Sequence, residues 1–308
     1  MRNVMALLTG VLFISMISTA VVAEDNQNLE GSFKELSRNT EWKKTNRIEL
    51  QFNAYHPQGM TKVGDTYYMS SVEILEKPEK YETPKNGYDR SAGKGIGHLF
   101  IFDEQGELLK DIKLGEADMY HPGGIDFDGE NIWVPVAEYR PDSESIIYKV
   151  DTDTLKSKEA FRVNDHIGGV VHDDKTGKNL GVSWGSREFY EWGKQGKKLK
   201  KEKNDSHFID YQDCENAGGG KMICSGIAEL NNPASETGKY ELGGLALLDM
   251  KDFSVEHEVP LAEFSSEGHV ITRNPVFLEE SDGRLQLFAV PDDDEASLVI
   301  YETGIDEE

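Results

Sequence analysis

One pattern returns five times along the chain, and a repeat of this kind decides the fold before local structure is weighed. His56-Pro57-Gln58-Gly59-Met60 opens a segment that turns at Gly64-Asp65 and reaches Glu73. His121-Pro122-Gly123-Gly124-Ile125 opens a second that turns at Asp128-Gly129 and reaches Glu138, again 17 residues after its histidine. A third begins at His166-Ile167-Gly168-Gly169-Val170, a fourth spans 209–229, and a fifth spans 274–292. In each, an apolar run, a turn and an alternating apolar run read as strand, tight turn, strand. Each is followed by a further apolar run and turn, at 97–114, 146–163, 188–204, 244–261 and 298–308. The first four of these supply two strands each, and the fifth supplies one.

A four-stranded unit repeated around an axis describes a β-propeller, with blades opening near residues 54, 120, 165, 207 and 269. Arg47 to Phe52 alternates polar and apolar side chains and has no partner of its own. It is the candidate for the missing strand of the last blade. The fold expected is an all-β propeller of five blades closed by an N-terminal strand, the alternative being six. Residues 24–46 read as an extended or partly helical lead-in, and 47–308 as a single propeller domain.

Residues 1–23 carry Arg2, an apolar run from Met5 to Val22 and small residues through Ala23, the pattern of a secretory signal peptide cleaved after Ala23. The mature chain is then expected to be secreted or periplasmic, with no membrane attachment. Cys214 and Cys224 flank the turn-forming run Glu215 to Gly220, so a hairpin there would join them in a disulfide, which an oxidising compartment permits. A loop this short adds about 2–3 kcal/mol of stability. With 57 acidic and 33 basic residues the net charge is −24, or −25 once Arg2 is removed, which excludes nucleic acid as a partner. A hydrophobic share of 37% and an aromatic share of 9% exclude a disordered acidic tail.

In a propeller blade the first residue of the inner strand and the last of the second meet at one mouth of the central channel. His56, His121 and His166 therefore point into one mouth from consecutive blades. Tyr211 or Gln212 holds the equivalent place in blade four, and Asn274 or Arg273 in blade five. Glu73, Glu138, Glu229 and Asp292 end the second strands, with Arg187 near that position in blade three. Three imidazoles suit Zn or Fe, and carboxylates complete a shell or serve as base. An oxygen shell of Glu73, Glu138, Asn274 and Asp292 would suit calcium, and manganese is a further candidate. The same His and Glu would also serve metal-free acid–base chemistry, or the His would simply hydrogen-bond a neighbouring blade. His207 and His269 fall in connecting loops, and His98, His172 and His257 away from the mouth. Two polar segments, 75–95 and 230–243, overhang the mouth, where Tyr81, Tyr88, Arg90, Tyr139 and Arg140 would line a pocket. Nucleophile-elbow, phosphate-loop and dinucleotide motifs are absent.

The repeat resembles the propellers of NHL-repeat proteins and of the lactonase and strictosidine-synthase-like group, over most of the mature chain. The whole chain also looks like an uncharacterised family of exported propeller-like proteins. Signatures of WD and kelch repeats are missing. The amidating lyase among NHL-type propellers is similar in placing three His around a channel metal, a parallel that rests on His56, His121 and His166. The expectation is a metal-assisted hydrolase or lyase acting on a small ester or lactone. In it the three His hold the metal, Glu73 or Glu138 is the base and Arg187 binds an anionic or carbonyl oxygen. Tyr211, Glu229, Asn274 and Asp292 would contact the substrate. The alternative is a non-catalytic propeller that binds a small ligand, sugar or protein on the same face.

Overall fold

A computed structural model describes residues 29–304 except 236, 237 and 282. The signal peptide expected over 1–23 and the first residues of the expected lead-in lie outside the described residues. Five sheets, each built from antiparallel neighbours, form the ring of a five-bladed β-propeller. Blade one holds His56–Val63, Thr66–Glu76, Lys94–Asp103 and Leu108–Leu114. In blade two the inner strand is interrupted at Gly123-Gly124, running Met119–Pro122 and then Asp126–Phe127; Asn131–Glu138, Ser145–Asp151 and Ser157–Val163 follow. Ile167–Asp173, Lys178–Ser183, Glu188–Trp192 and Lys198–Lys203 make blade three. Blade four is Asp210–Gly218, Lys221–Asn231, Lys239–Asp249 and Val255–Leu261. Blade five has Val276–Ser281, Arg284–Ala289 and Ser297–Gly304, and its outer strand is Lys43–Glu49 from the other end of the chain.

The closing strand thus starts four residues before Arg47 and ends at Glu49. Beyond it, the Leu50 amide bonds to Ala296 and the Gln51 amide to Gly106, which carries the chain from blade five to blade one. The lead-in contributes the helix Leu29–Lys34, whose Leu29 and Phe33, one turn apart, are fully buried in the core of blades four and five. Segment 75–95 folds its own small hairpin, Lys80–Lys85 with Tyr88–Arg90, and the two ends of 230–243 continue the second and third strands of blade four, which run to Asn231 and from Lys239.

Inner strands of a propeller leave a row of backbone N–H groups facing the channel, and buried donors need acceptors. Three carboxylates supply them. Asp213 of blade four accepts the Met60 amide of blade one at 2.8 Å and the Ile125 amide of blade two at 3.0 Å. Asp126 of blade two accepts His172 of blade three at 2.7 Å and Asn216 of blade four at 3.1 Å. Glu215 of blade four accepts Leu278 of blade five at 2.9 Å. Blades one and four, and two and four, are not neighbours in the ring, so these bonds cross the channel and close it. The disulfide Cys214–Cys224 pins directly opposed residues of the hairpin that carries Asp213 and Glu215.

Close approach at the axis requires glycine. A Cβ at Gly123 would stand 2.2 Å from the Gly168 carbonyl oxygen, and one at Gly59 would stand 2.6 Å from the Gly124 Cα. At Gly168 the nearest atom is 3.6 Å away. Gly123→Ala should therefore cost about 3 kcal/mol or more, and Gly168→Ala no more than about 1, in denaturant unfolding. Asp213→Asn keeps the shape but turns an amide N–H2 toward a backbone donor, and the same experiment should show a loss of about 1–3 kcal/mol.

Candidate functional site

All three repeat-opening histidines meet at one mouth. His56, His121 and His166 line an inner cavity of about 430 Å3, with ring centres 6.4 Å apart for His56 and His121 and 6.0 Å for His121 and His166. An outer cavity of about 650 Å3 adjoins it, and the two share His56, Tyr139, Trp184 and Arg273. Beneath them the channel is closed by the bonds to Asp213, so the mouth is a blind pocket.

Each histidine has a different environment. The His166 Nδ1 stands 2.8 Å from the Glu138 carbonyl oxygen. A carbonyl only accepts, so this nitrogen carries the proton and Nε2 keeps its lone pair. The His56 Nδ1 donates to Asp293 Oδ1 at 2.9 Å, which again leaves Nε2 free. Burial pushes the Asp293 carboxyl up, but the His56 bond, the charges of His56 and Arg273 and the Asn274 amide outweigh it and hold the group down at about 2. His121 lies between the other two, 6% exposed, and neither of its ring nitrogens has a hydrogen-bond partner. Its ring stacks on Tyr139 at 4.1 Å, and His166 meets Trp184 edge-on at 4.7 Å. Burial pushes His166 down to about 4, and burial with the charges of His166 and His56 pushes His121 well below the usual range.

Other expected residues fall into two groups. Tyr211, Gln212, Glu229 and Asn274 line the inner cavity, and Glu73 and Arg90 line the outer one. Glu138, Asp292 and Arg187 are held elsewhere. The Glu138 carboxylate pairs with Arg140, and only its backbone carbonyl reaches His166. Asp292 accepts Ser265 Oγ at 2.6 Å. Arg187 bonds the Gly185 and Ser206 carbonyls and Asp210, which ties down the loop 184–210 and leaves the cavity to Asp210. Tyr88 lies under the Arg140 guanidinium at 3.5 Å, and Tyr81 faces Lys85. His207 bonds Arg187, His269 meets Glu241, and His98 is buried against Asp111.

The sequence reading missed Asp293, the partner of His56, and two aromatic residues of the outer cavity, Tyr55 and Trp184. Asp293 is the middle one of three adjacent aspartates, Asp292 to Asp294, and register alone selects the first. Trp184 is presented by a tight turn in which Gly185 and Ser186 take φ of 59° and 51°; the adjacent Gly-Ser was the available signal. Cationic character comes from Arg273, 3.3 Å from Asp293, and from Arg90, whose guanidinium lies 5.2 Å from the Trp184 ring centre. Among the described residues no three His, Cys, Asp or Glu side chains stand close enough to hold a metal ion as placed. No described helix is long and apolar enough to cross a membrane.

A histidine whose folded pKa lies below its unfolded value of about 6.5 binds its proton more tightly when the chain unfolds. His166 and His121 therefore add nothing to pH dependence above neutrality and lower stability as pH falls from about 6.5 toward 4. NMR of labelled histidine should show His166 titrating near pH 4; a midpoint near 6.5 would mean that the ring is solvated.

No curated protein matches the sequence. Among solved structures, the chain is similar to the tail fibre of Staphylococcus aureus phage P68 at 9% identity and a TM-score of 0.49, over 88% of this chain and 54% of that one. It thus spans about half the length of that fibre protein. A luciferin-regenerating enzyme is similar at 10% identity and a TM-score of 0.44, over 85% of this chain and 96% of that one. The β-propeller domain of the Trilobed protease from Pyrococcus furiosus gives 15% identity and a TM-score of 0.32, over 79% and 65% of the two chains. Similarities this low carry no argument about chemistry. A family model described as a family of unknown function, DUF6454, matches residues 14–306, nearly the whole chain, and the protein belongs to that family.

Proposed function

We propose that the histidine mouth is a metal-assisted hydrolase or lyase site for a small ester- or lactone-type molecule, on a protein that works outside the cytosol. The observation that carries the reading is the state of the three rings. His56 and His166 give Nδ1 protons to a carboxylate and a carbonyl, the outer partners that fix a metal-binding imidazole, and His121 sits between them with no partner. Zn–N bonds of about 2.0–2.1 Å in a tetrahedral site put ring centres about 5 Å apart, so His56 and His166 would each have to approach His121 by about 1 Å on ligation. Burial that keeps His121 and His166 neutral keeps their lone pairs available.

His56, His121 and His166 would hold the cation. When bound, it would lower the pKa of a water to about 7 and polarise a carbonyl. Glu73, in the outer cavity, replaces Glu138 as the general base, because the Glu138 carboxylate is paired with Arg140. Arg273 replaces Arg187 for an anionic or carbonyl oxygen, since it lies in both cavities and Arg187 in neither. Tyr55, Tyr139 and Trp184 pack the apolar part of the substrate, and the closed channel floor excludes water from below. The disulfide supports a location outside the cytosol.

A second reading is favoured by the stacking of Tyr139 on His121: the mouth is an aromatic pocket that binds a small ligand without chemistry. Metal analysis separates the two. Purified protein should carry about one divalent ion per chain after incubation with Zn or Mn, and His121→Ala should carry none. Wild-type protein without stoichiometric metal, inert on an ester and lactone panel, would leave the binding module.

A further inference from the structure

On the face opposite the histidines, a cavity of about 450 Å3 opens between blades two and three, lined by Asp128, Trp133, Lys158, Asp174, Asn179 and Lys194 among others. Its acceptors are occupied. Asp128 takes the amides of Glu130 and Asn131 and the Trp133 Nε1–H at 2.8 Å, with Lys149 at 3.4 Å. Glu159 is paired with Arg162, Asp174 accepts the Asn216 side chain, and the Asn179 carbonyl oxygen meets His172 Nδ1 at 2.9 Å. Its donors are not. Asn179 is fully buried, and its Nδ2 has no hydrogen-bond partner. Lys158 and Lys194 line the cavity and form no ion pair among the described residues. Lys194 lies across Gly177, where a Cβ would stand 2.4 Å from its Cε.

In the lining itself Asp128, Glu159 and Asp174 are balanced by Lys149, Lys158 and Lys194, and the adjoining segment is positive. Residues 194–203 contain six lysines and one glutamate, in a chain of net charge −24. They include the outer strand of blade three, Lys198–Lys203, beside the cavity. Part of that charge follows from the need of an exposed edge strand to resist pairing with another chain. That need does not extend to Lys158, which lies on blade two, or to the buried amide of Asn179. A pocket with free N–H donors, whose carboxylates each already accept a donor of the protein, complements a ligand that only accepts.

We infer that the cavity between blades two and three is a binding site for a small polyvalent oxyanion, a carboxylate or phosphate group of a free metabolite, separate from the histidine mouth. Calorimetry on the full chain at low salt, with citrate and inorganic phosphate as probes, tests it and tells the two chemistries apart. At least one should bind saturably at millimolar concentration or below. The surface double variant Lys158→Gln/Lys194→Gln should weaken that binding at least tenfold while unfolding like the wild type, and His121→Ala should leave it unchanged. Asn179→Asp, which sets a carboxylate where the free donor was, should abolish it. Absence of saturable binding by either probe, or wild-type affinity in the double lysine variant, overturns the assignment.

Discussion

Everything at the mouth depends on how the inner strands are held together at the axis. Five edge strands converge there, each with N–H groups that no ladder satisfies, and water cannot reach them once the glycines have brought the backbones together. Asp213, Asp126 and Glu215 accept amides from all five blades between them. Two of these carboxylates bridge blades that are not neighbours, so the ring closes as one unit rather than blade by blade. Directly above this layer stand His56, His121 and His166, whose backbones belong to or adjoin the same inner strands.

Such an arrangement has an electrostatic consequence. Burial raises the Asp126 carboxyl to about 7 and the Asp213 and Glu215 carboxyls well above their usual range, against the pull of the amides they accept. The same dry interior keeps His121 and His166 neutral. Asp293, nearer the solvent and flanked by His56 and Arg273, stays ionised. The mouth thus combines the two uncharged imidazoles of His121 and His166, one fixed carboxylate and arginines against aromatic walls, a set of groups whose charges differ because their distances from water differ.

Much of this was legible in the residues. The His-to-Glu spacing repeated at 56–73 and 121–138 located the inner strands, the unpartnered strand near Arg47 located the closure, and the turn between Cys214 and Cys224 located the disulfide. What escaped were contacts decided by a single residue of register or by tertiary capture. Asp292 and Asp293 are equivalent by composition, yet the chain turns after Ala289 so that only the second meets His56. Arg187 has the right sequence position, but the carbonyls of the 184–210 loop claim its guanidinium. The axial carboxylates were hidden among 57 acids. Their one signal was alternation: Asp213 and Glu215 fall on the same side of a strand whose neighbours Cys214 and Ala217 are buried too.

The mouth therefore has the attributes of a preorganised site: a closed floor, rings oriented by fixed partners, and side chains on the inner strands or at strand ends. That depends on the axial layer being the most stable part of the molecule, and native-state hydrogen exchange measures this directly. The amides of Met60, Ile125, His172, Asn216 and Leu278, one from each blade, should exchange together and only through global unfolding. If they exchanged independently, or as fast as amides on the exposed edge strand Lys198–Lys203, the carboxylates would not be what holds the ring.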